Sequence, residues 1–309
     1  MILSIVTTMY RSSQYIMEFY DRITNTIQKI TNEYEIIFVN DGSPDDSLEK
    51  ALQLNIKDPK VKIVDLSRNF GHHKAIMTGL SKTTGDFIFL IDIDLEEAPE
   101  YIELFWETIH KTESDVVFGI QTIRKGNISE KLSGALFYNM FNLLSSVKIP
   151  KNPTTCRIMT KRYVNSLLEY KDKELMLAGL MELTGYKQVS IPFEKKSRKK
   201  SSYSISKKID LMVNSITSFS SKPLHFVFYS GVLITLFSFF WIVSVVVRKF
   251  FFDISSGWSS LIASIWFLGG FSILSIGIIG IYLSKIFSEV KDRPYTTIRN
   301  FYNRDEKVK

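Results

Sequence analysis

The chain has 309 residues, 45% of them apolar and 23% charged, with a formal net charge of +7 and a single cysteine. That length buries one good-sized core in one or two domains, and the lone Cys156 excludes an internal disulfide and suits a reducing compartment. The runs 224–247 and 258–283 contain no Asp, Glu, Lys or Arg, and each exceeds the ~20 residues that cross a hydrocarbon core, so two transmembrane helices are expected rather than a wholly soluble chain.

In chain order, 3–8 (LSIVTT) reads as a strand and 15–31 as a helix with Ile16, Phe19, Ile23 and Ile27 on one face. A cleaved signal peptide is not expected, since Met1 to Thr8 is too short and lacks a basic start. A second strand, 34–40, runs into Asp41-Gly42-Ser43-Pro44-Asp45-Asp46-Ser47. Gly42 permits a tight turn there, and Ser43 or Asp45 can cap the next helix. Asp41, at a strand's carboxyl end, is placed to meet a nucleotide's base or ribose and would serve equally well as a cap. A third strand, 61–65, leads through LSRNFGHHKA into a helix over 75–81, where the small Ala75 and Gly79 allow close packing. The adjacent His72 and His73 diverge on a helix and make a poor metal pair; Arg68 or Lys74 is better suited to a phosphate.

The central stretch is GDFIFLIDIDLEEAPE, 85–100. Its unbroken apolar run, 87–91, suits a strand buried on both faces. It ends at Asp92-Ile93-Asp94, where i, i+2 spacing puts two carboxylates on one side of the chain as it leaves the sheet. Oxygen ligands of that kind bind Mg²⁺ or Mn²⁺, which in turn hold a substrate's phosphates. A helix over 99–111 and a strand over 115–119 follow. The alternation of strand and helix predicts an α/β fold with a mostly parallel sheet covered on both faces. Neither GxGxxG nor GxxxxGK[ST] occurs, so no dinucleotide fingerprint or P-loop is present.

Beyond the sheet, 129–144 has a strongly apolar helical face, read as a core helix or one lying against a membrane. The segment 187–222 carries nine basic residues against two acidic ones, a surplus equal to the whole chain's +7. Arg and Lys are also frequent after residue 283 and sparse between the two apolar runs, which puts the N-terminal part and the tail in the cytoplasm. The basic stretch lacks interleaved base-stacking aromatics and adjoins a membrane helix, so anionic lipid is expected and nucleic acid is not. An interfacial amphipathic helix is expected over 206–223. Gly269, Gly270, Gly277 and Gly280 permit close packing of the second span, including between subunits of a homo-oligomer. The tail, 284–309, is expected to be loosely ordered after Pro294.

The motifs VNDGSPDDS, LSRNFGHHKA, GDFIFLIDIDLEEAPE, the Arg124 region and ITSFSSKPL, in that order and ending in a two-helix hairpin, resemble the family-2 glycosyltransferases of GT-A fold. More narrowly, they resemble the group that loads sugars onto polyprenyl phosphates. The resemblance implies a cytoplasmic GT-A catalytic domain over 1–205, a transmembrane hairpin over 224–283 in the inner membrane, a nucleotide-sugar donor, a polyprenyl phosphate acceptor and Mg²⁺ or Mn²⁺ as cofactor. Position by position, it implies that Tyr10, Asp41 and Asp92 bind the donor and that Asp94 and Glu96 hold the metal, with Glu96 standing where the family usually has Gln. Arg124 and Arg157 would bind the acceptor phosphate and act with Asp92 and Asp94 in catalysis. Lys131, Lys200 and Ser202 would assist at that phosphate.

The chain departs from the family pattern at Glu96, at Gln121 where an Arg is common, at Lys199 where a Gly is usual, and in two longer motifs. Pro-x-Tyr-Asn-Glu is here Thr8-Met9-Tyr10-Arg11-Ser12, which removes a Glu contact to the nucleotide, and Asp-Phe-Arg is Thr155-Cys156-Arg157, which removes a carboxylate base. A phosphate acceptor is already anionic and does not need a strong base. The rival readings are an enzyme of the same fold that extends a lipid-linked glycan, and a catalytically silent membrane scaffold.

Overall fold

A computed structural model describes residues 1–121, 150, 152–173, 176–193, 213–214, 216–251 and 257–304. They fall into two compact units, residues up to 193 together with 293–304, and residues 213–292. The first unit is built on an eight-stranded sheet of order β7-β5-β6-β4-β1-β2-β3-β8. The strands are β1 (Leu3–Met9), β2 (Tyr34–Asn40), β3 (Val61–Leu66), β4 (Phe87–Leu90), β5 (Val116–Gln121), β6 (Pro153–Thr160), β7 (Gln188–Phe193) and β8 (Ile298–Tyr302). β4, β1, β2 and β3 run parallel, β6 lies antiparallel between β4 and β5, β7 pairs parallel with β5, and β8 closes the other edge antiparallel to β3.

Helices cover both faces, as expected for strands apolar on both sides. Side chains alternate along each strand. Leu3, Ile5, Met9, Ile36, Phe38, Ile63 and Phe89 form one core with the buried faces of α1 (Ile16–Ile27), α2 (Ser47–Lys57) and α4 (Tyr101–Thr112). The opposite face packs on α3 (His72–Leu80) and α5 (Lys161–Glu169). Gly79 is required there, because a Cβ on it would sit 2.7 Å from side-chain carbons of both Val6 and Val39. A short helix, α6 (Leu177–Leu183), precedes β7.

The tail is not loose along its length. Ile298–Tyr302 adds β8 to the sheet, with Arg299 donating to the Ser67 carbonyl at 2.6 Å and reaching Asp65 at 3.6 Å. Ser67 and Thr297 share a further backbone bond, and Thr78 and Thr296 join through their hydroxyls at 2.8 Å. An edge strand needs only one row of ladder bonds, and pairing with β3 supplies it, with Tyr302 packed against the core.

The second unit contains two long helices, α7 (Lys222–Phe251) and α8 (Trp258–Val290). Each holds a stretch long and apolar enough to cross a membrane, Lys222–Trp241 and Ser264–Val290. Large apolar side chains, Phe226, Leu233, Trp266 and Ile273 among them, are exposed along both. Within this unit Tyr282 donates to the Ser220 carbonyl, and Lys285 donates to the Asn214 carbonyl and the Ser218 hydroxyl.

Candidate active site

The carboxyl ends of β4, β1, β2 and β3 lie side by side, and strand alternation decides what gathers there. Ser4, Val6 and Thr8 on β1 share the α3 side of the sheet with Val39 of β2 and with Ile88 and Leu90 of β4, and the same parity carries to Asp41 just past β2. Val6 pairs with Leu90, so the register carried two residues on sets Thr8 abreast of Asp92. The sheet thereby delivers Thr8, Asp41 and Asp92 to the same edge, beneath the start of α3.

Asp41 is 3% exposed. Its Oδ1 accepts from the Phe70 amide at 2.7 Å and its Oδ2 from the Gly71 amide at 3.0 Å, tying the end of β2 to the loop after β3. Burial raises its pKa, partly offset by those two amides and by Arg68 and His72. Asp41 thus braces the loop after β3 instead of capping the helix after its own strand, where α2 starts behind Asp46 with no side-chain cap. The adjoining Gly42 has φ +61°, and a Cβ there would lie 2.4 Å from the Arg68 carbonyl carbon, so this crossing of two loops requires glycine.

Asp45 anchors the neighbouring turn. Burial works against its charge, but bonds from the Ser43 and Ser47 hydroxyls and from the Ser13 and Ser47 amides outweigh that and hold its pKa at about 2. Ser12, which stands where the family pattern has Glu, donates its amide to the Ser47 hydroxyl. That position is therefore knitted into the turn. Tyr10, by contrast, is 45% exposed, with Arg11 over its ring.

Past β4 the acidic loop follows. Asp94 and Glu96 are both partly exposed, and Asp94 Oδ1 accepts from the Glu96 amide at 3.0 Å. Leu95 between them has φ +59° and is 3% exposed. A buried side chain thus fixes a backbone conformation that a leucine rarely adopts. Among the described residues no cluster of three or more His, Cys, Asp or Glu gathers around one point. Two carboxylates that leave the remaining positions to phosphate and water fit Mg²⁺ or Mn²⁺, which bind through one or two carboxylates plus substrate oxygens.

Arg157, on β6 opposite Leu90, is buried. It donates to the Thr154 carbonyl at 2.9 Å and the Thr155 carbonyl at 3.2 Å, and also meets the Met181 sulfur. Burial lowers its pKa, and Tyr163, Cys156, Glu182 and the fully buried Glu97 counter that. Its walls and those of His73, Ile76, Leu90, Leu177 and Met181 bound a cleft of about 130 Å³. Arg157 therefore lines a cleft while bracing the residues before it, rather than standing in solvent.

Of the expected set, Asp41 and Asp92 follow directly on neighbouring strand ends, and Asp94 and Glu96 stand further along the loop after β4. Arg124, Lys131, Lys200 and Ser202 lie outside the described residues, as do the expected helix over 129–144 and the basic stretch over 195–208. Two edge residues were given no site role from the sequence, His72 being read only as half of a poor metal pair and Thr8 only as part of the altered first-strand motif. Thr8 Oγ1 lies 3.0 Å from His72 Nδ1, and His72 Nε2 lies 3.4 Å from Asp92 Oδ1. The only signal for them in the sequence is the parity of Thr8 with Val6 and the position of His72 right after Gly71.

The family model for glycosyl transferase family 2 matches residues 4–168. A protein of Mycobacterium tuberculosis (strain CDC 1551 / Oshkosh) named as a glycosyltransferase is 46% identical over 304 residues, covering 98% of this chain and 89% of its own. YkcC of Bacillus subtilis (strain 168), likewise named as a glycosyltransferase, is 34% identical across 98% of this chain and 95% of its own. The Bactoprenol glucosyl transferase of Shigella phage SfX is 29% identical across 96% of this chain and 99% of its own. The mixed sheet with helices on both faces is of the GT-A type. The chain belongs to glycosyl transferase family 2.

Proposed function

We propose that the chain moves a sugar from a nucleotide sugar to a polyprenyl phosphate, undecaprenyl phosphate in a bacterial host, at the cytoplasmic face of an inner membrane crossed by α7 and α8. The observation that carries this reading is the 96% span of the match to a bactoprenol glucosyl transferase, a span that takes in the sheet edge and both apolar helices. Glucose is the first sugar to test.

In this reading Tyr10, Asp41 and Asp92 bind the donor. Asp94 and Glu96 hold Mg²⁺ or Mn²⁺, which when bound supplies positive charge to the diphosphate. Arg157 and Arg124 bind the acceptor phosphate, assisted by Lys131, Lys200 and Ser202. A phosphate oxygen attacks the anomeric carbon as the bond from that carbon to the nucleoside diphosphate breaks. One displacement inverts configuration, and the attacking oxygen carries no proton that must be removed. Thr155 at the position of the missing family carboxylate is consistent with that chemistry. The protein's part is alignment and stabilisation of the departing charge.

The test uses purified full-length protein in detergent, undecaprenyl phosphate, Mn²⁺ or Mg²⁺ and a panel of radiolabelled UDP- and GDP-sugars. One donor is expected to label the lipid, and the label to disappear with chelator. Transfer onto a glycan acceptor with no labelling of the lipid phosphate would replace this reading with the glycan-extending one.

A further inference from the structure

The three acids at the carboxyl edge are steered by different means. Asp94 turns back to an amide two residues along its own loop, a local contact that any Asp in such a turn can make. Asp41 is held by two amides of the neighbouring loop. Asp92 meets a side chain from another element, and that side chain is itself held. His72 Nε2 lies 3.4 Å from Asp92 Oδ1, while on the far side of the ring Nδ1 lies 3.0 Å from Thr8 Oγ1.

Both ring nitrogens are therefore engaged. In the tautomer that lets the Thr8 hydroxyl donate into Nδ1, the ring hydrogen sits on Nε2, the nitrogen nearer the Asp92 carboxylate. The ring's place is well determined: Gly71, at φ +100°, turns the chain into α3, its amide is tied to Asp41, and His72 is the first residue of the helix. The adjacent His73 lines the cleft instead. The two imidazoles, 5.8 Å apart between centroids, thus have separate surroundings.

We infer that His72 is a positioning residue: held by Thr8, it fixes the direction of the Asp92 carboxylate so that Oδ2 faces the sugar of the donor. The inference rests on the donor role proposed above for Asp92. Partners of this kind, which orient a group that itself contacts the ligand, typically change affinity or activity by about 10–100-fold when removed.

Two measurements test it. In ¹⁵N-histidine NMR of the full chain in detergent, with no ligand, the His72 signal, assigned by its loss in His72→Ala, is expected to show the Nε2-protonated tautomer, and Thr8→Val to abolish that bias. An unchanged ring in Thr8→Val would overturn the Thr8–His72 link. In the transfer assay with the donor found in the screen, His72→Ala is expected to lower kcat/KM about 10–100-fold. His72→Gln, whose amide can still donate to Asp92, is expected to recover most of it, and Thr8→Val to add nothing in the His72→Ala background. Equal losses in the Gln and Ala variants, or an additive effect of Thr8→Val, would overturn the positioning role. If the wild-type protein transfers no sugar, the proposed reaction falls while the ligand-free spectra still decide whether the Thr8–His72 link exists.

Discussion

The two edges of the central parallel strands both carry buried or half-buried acids, yet they are put to different use. At the amino edge Glu35 is 4% exposed. It pairs with Lys62 at 2.8 Å and accepts from the Ser4 hydroxyl at 2.5 Å and the Thr84 amide at 2.6 Å. At the carboxyl edge Asp92, Asp94 and Glu96 are partly exposed; Asp92 meets His72 at 3.4 Å and Asp94 accepts from the Glu96 amide at 3.0 Å. An acid whose partners are all internal is a structural fixture; one that keeps an oxygen toward solvent can take a ligand. The difference is set by strand direction, since loops at the carboxyl edge splay apart and leave room between them.

The comparison predicts opposite phenotypes for substitutions at the two edges. The largest effect is expected from Lys62→Met, which leaves the Glu35 carboxylate buried without its cation. Breaking such a pair costs about 3–5 kcal/mol, so the thermal midpoint of the detergent-solubilised chain should fall sharply while activity per folded molecule persists. Asp94→Ala should do the reverse, lowering transfer by about 10²–10³-fold with an unchanged melt. Gly42→Ala falls between them. It forces a side chain into φ +61° and against the backbone of the loop after β3, for about 1–3 kcal/mol and a loss of donor affinity, since that loop is the one Asp41 ties down.

The smallest effect is a pH dependence. Burial opposes the charge of Glu35, but Lys62, Ser4 and Thr84 outweigh it and lower its pKa below the ordinary 4.5, while Asp45 is held at about 2 from an ordinary 3.8. Stability from both is fully present above the ordinary values and is lost as pH falls through the lowered ones. Asp41, raised by burial, runs the other way and offsets part of that loss. Circular dichroism across this acid range should show a transition that moves to higher pH in Lys62→Met.

Much of the central sheet was legible because its strands are continuous apolar runs between turn residues, and β2 falls at 34–40 as read. β6 was not, since Thr154, Thr155 and Arg157 interrupt its apolar pattern and drew attention as a motif instead. β8 was missed because IRNFY follows a proline in a charged tail and gains its order only by pairing with β3. The acidic pair was visible through its i, i+2 spacing, a local property. The bridge from Thr8 through His72 to Asp92 depends on the neighbour order β4-β1-β2 and on which side of the sheet α3 packs, and neither is written in any one stretch of sequence.

The most direct test of the claim that the carboxyl edge is the donor site is calorimetric titration of UDP and GDP, with Mn²⁺, into the wild-type chain and into Asp94→Ala and Lys62→Met. The account predicts Mn²⁺-dependent binding of one nucleotide to the wild type, its loss in Asp94→Ala, and its retention in whatever fraction of Lys62→Met is folded. Binding that survives unchanged in Asp94→Ala would contradict the assignment of this edge as the donor site.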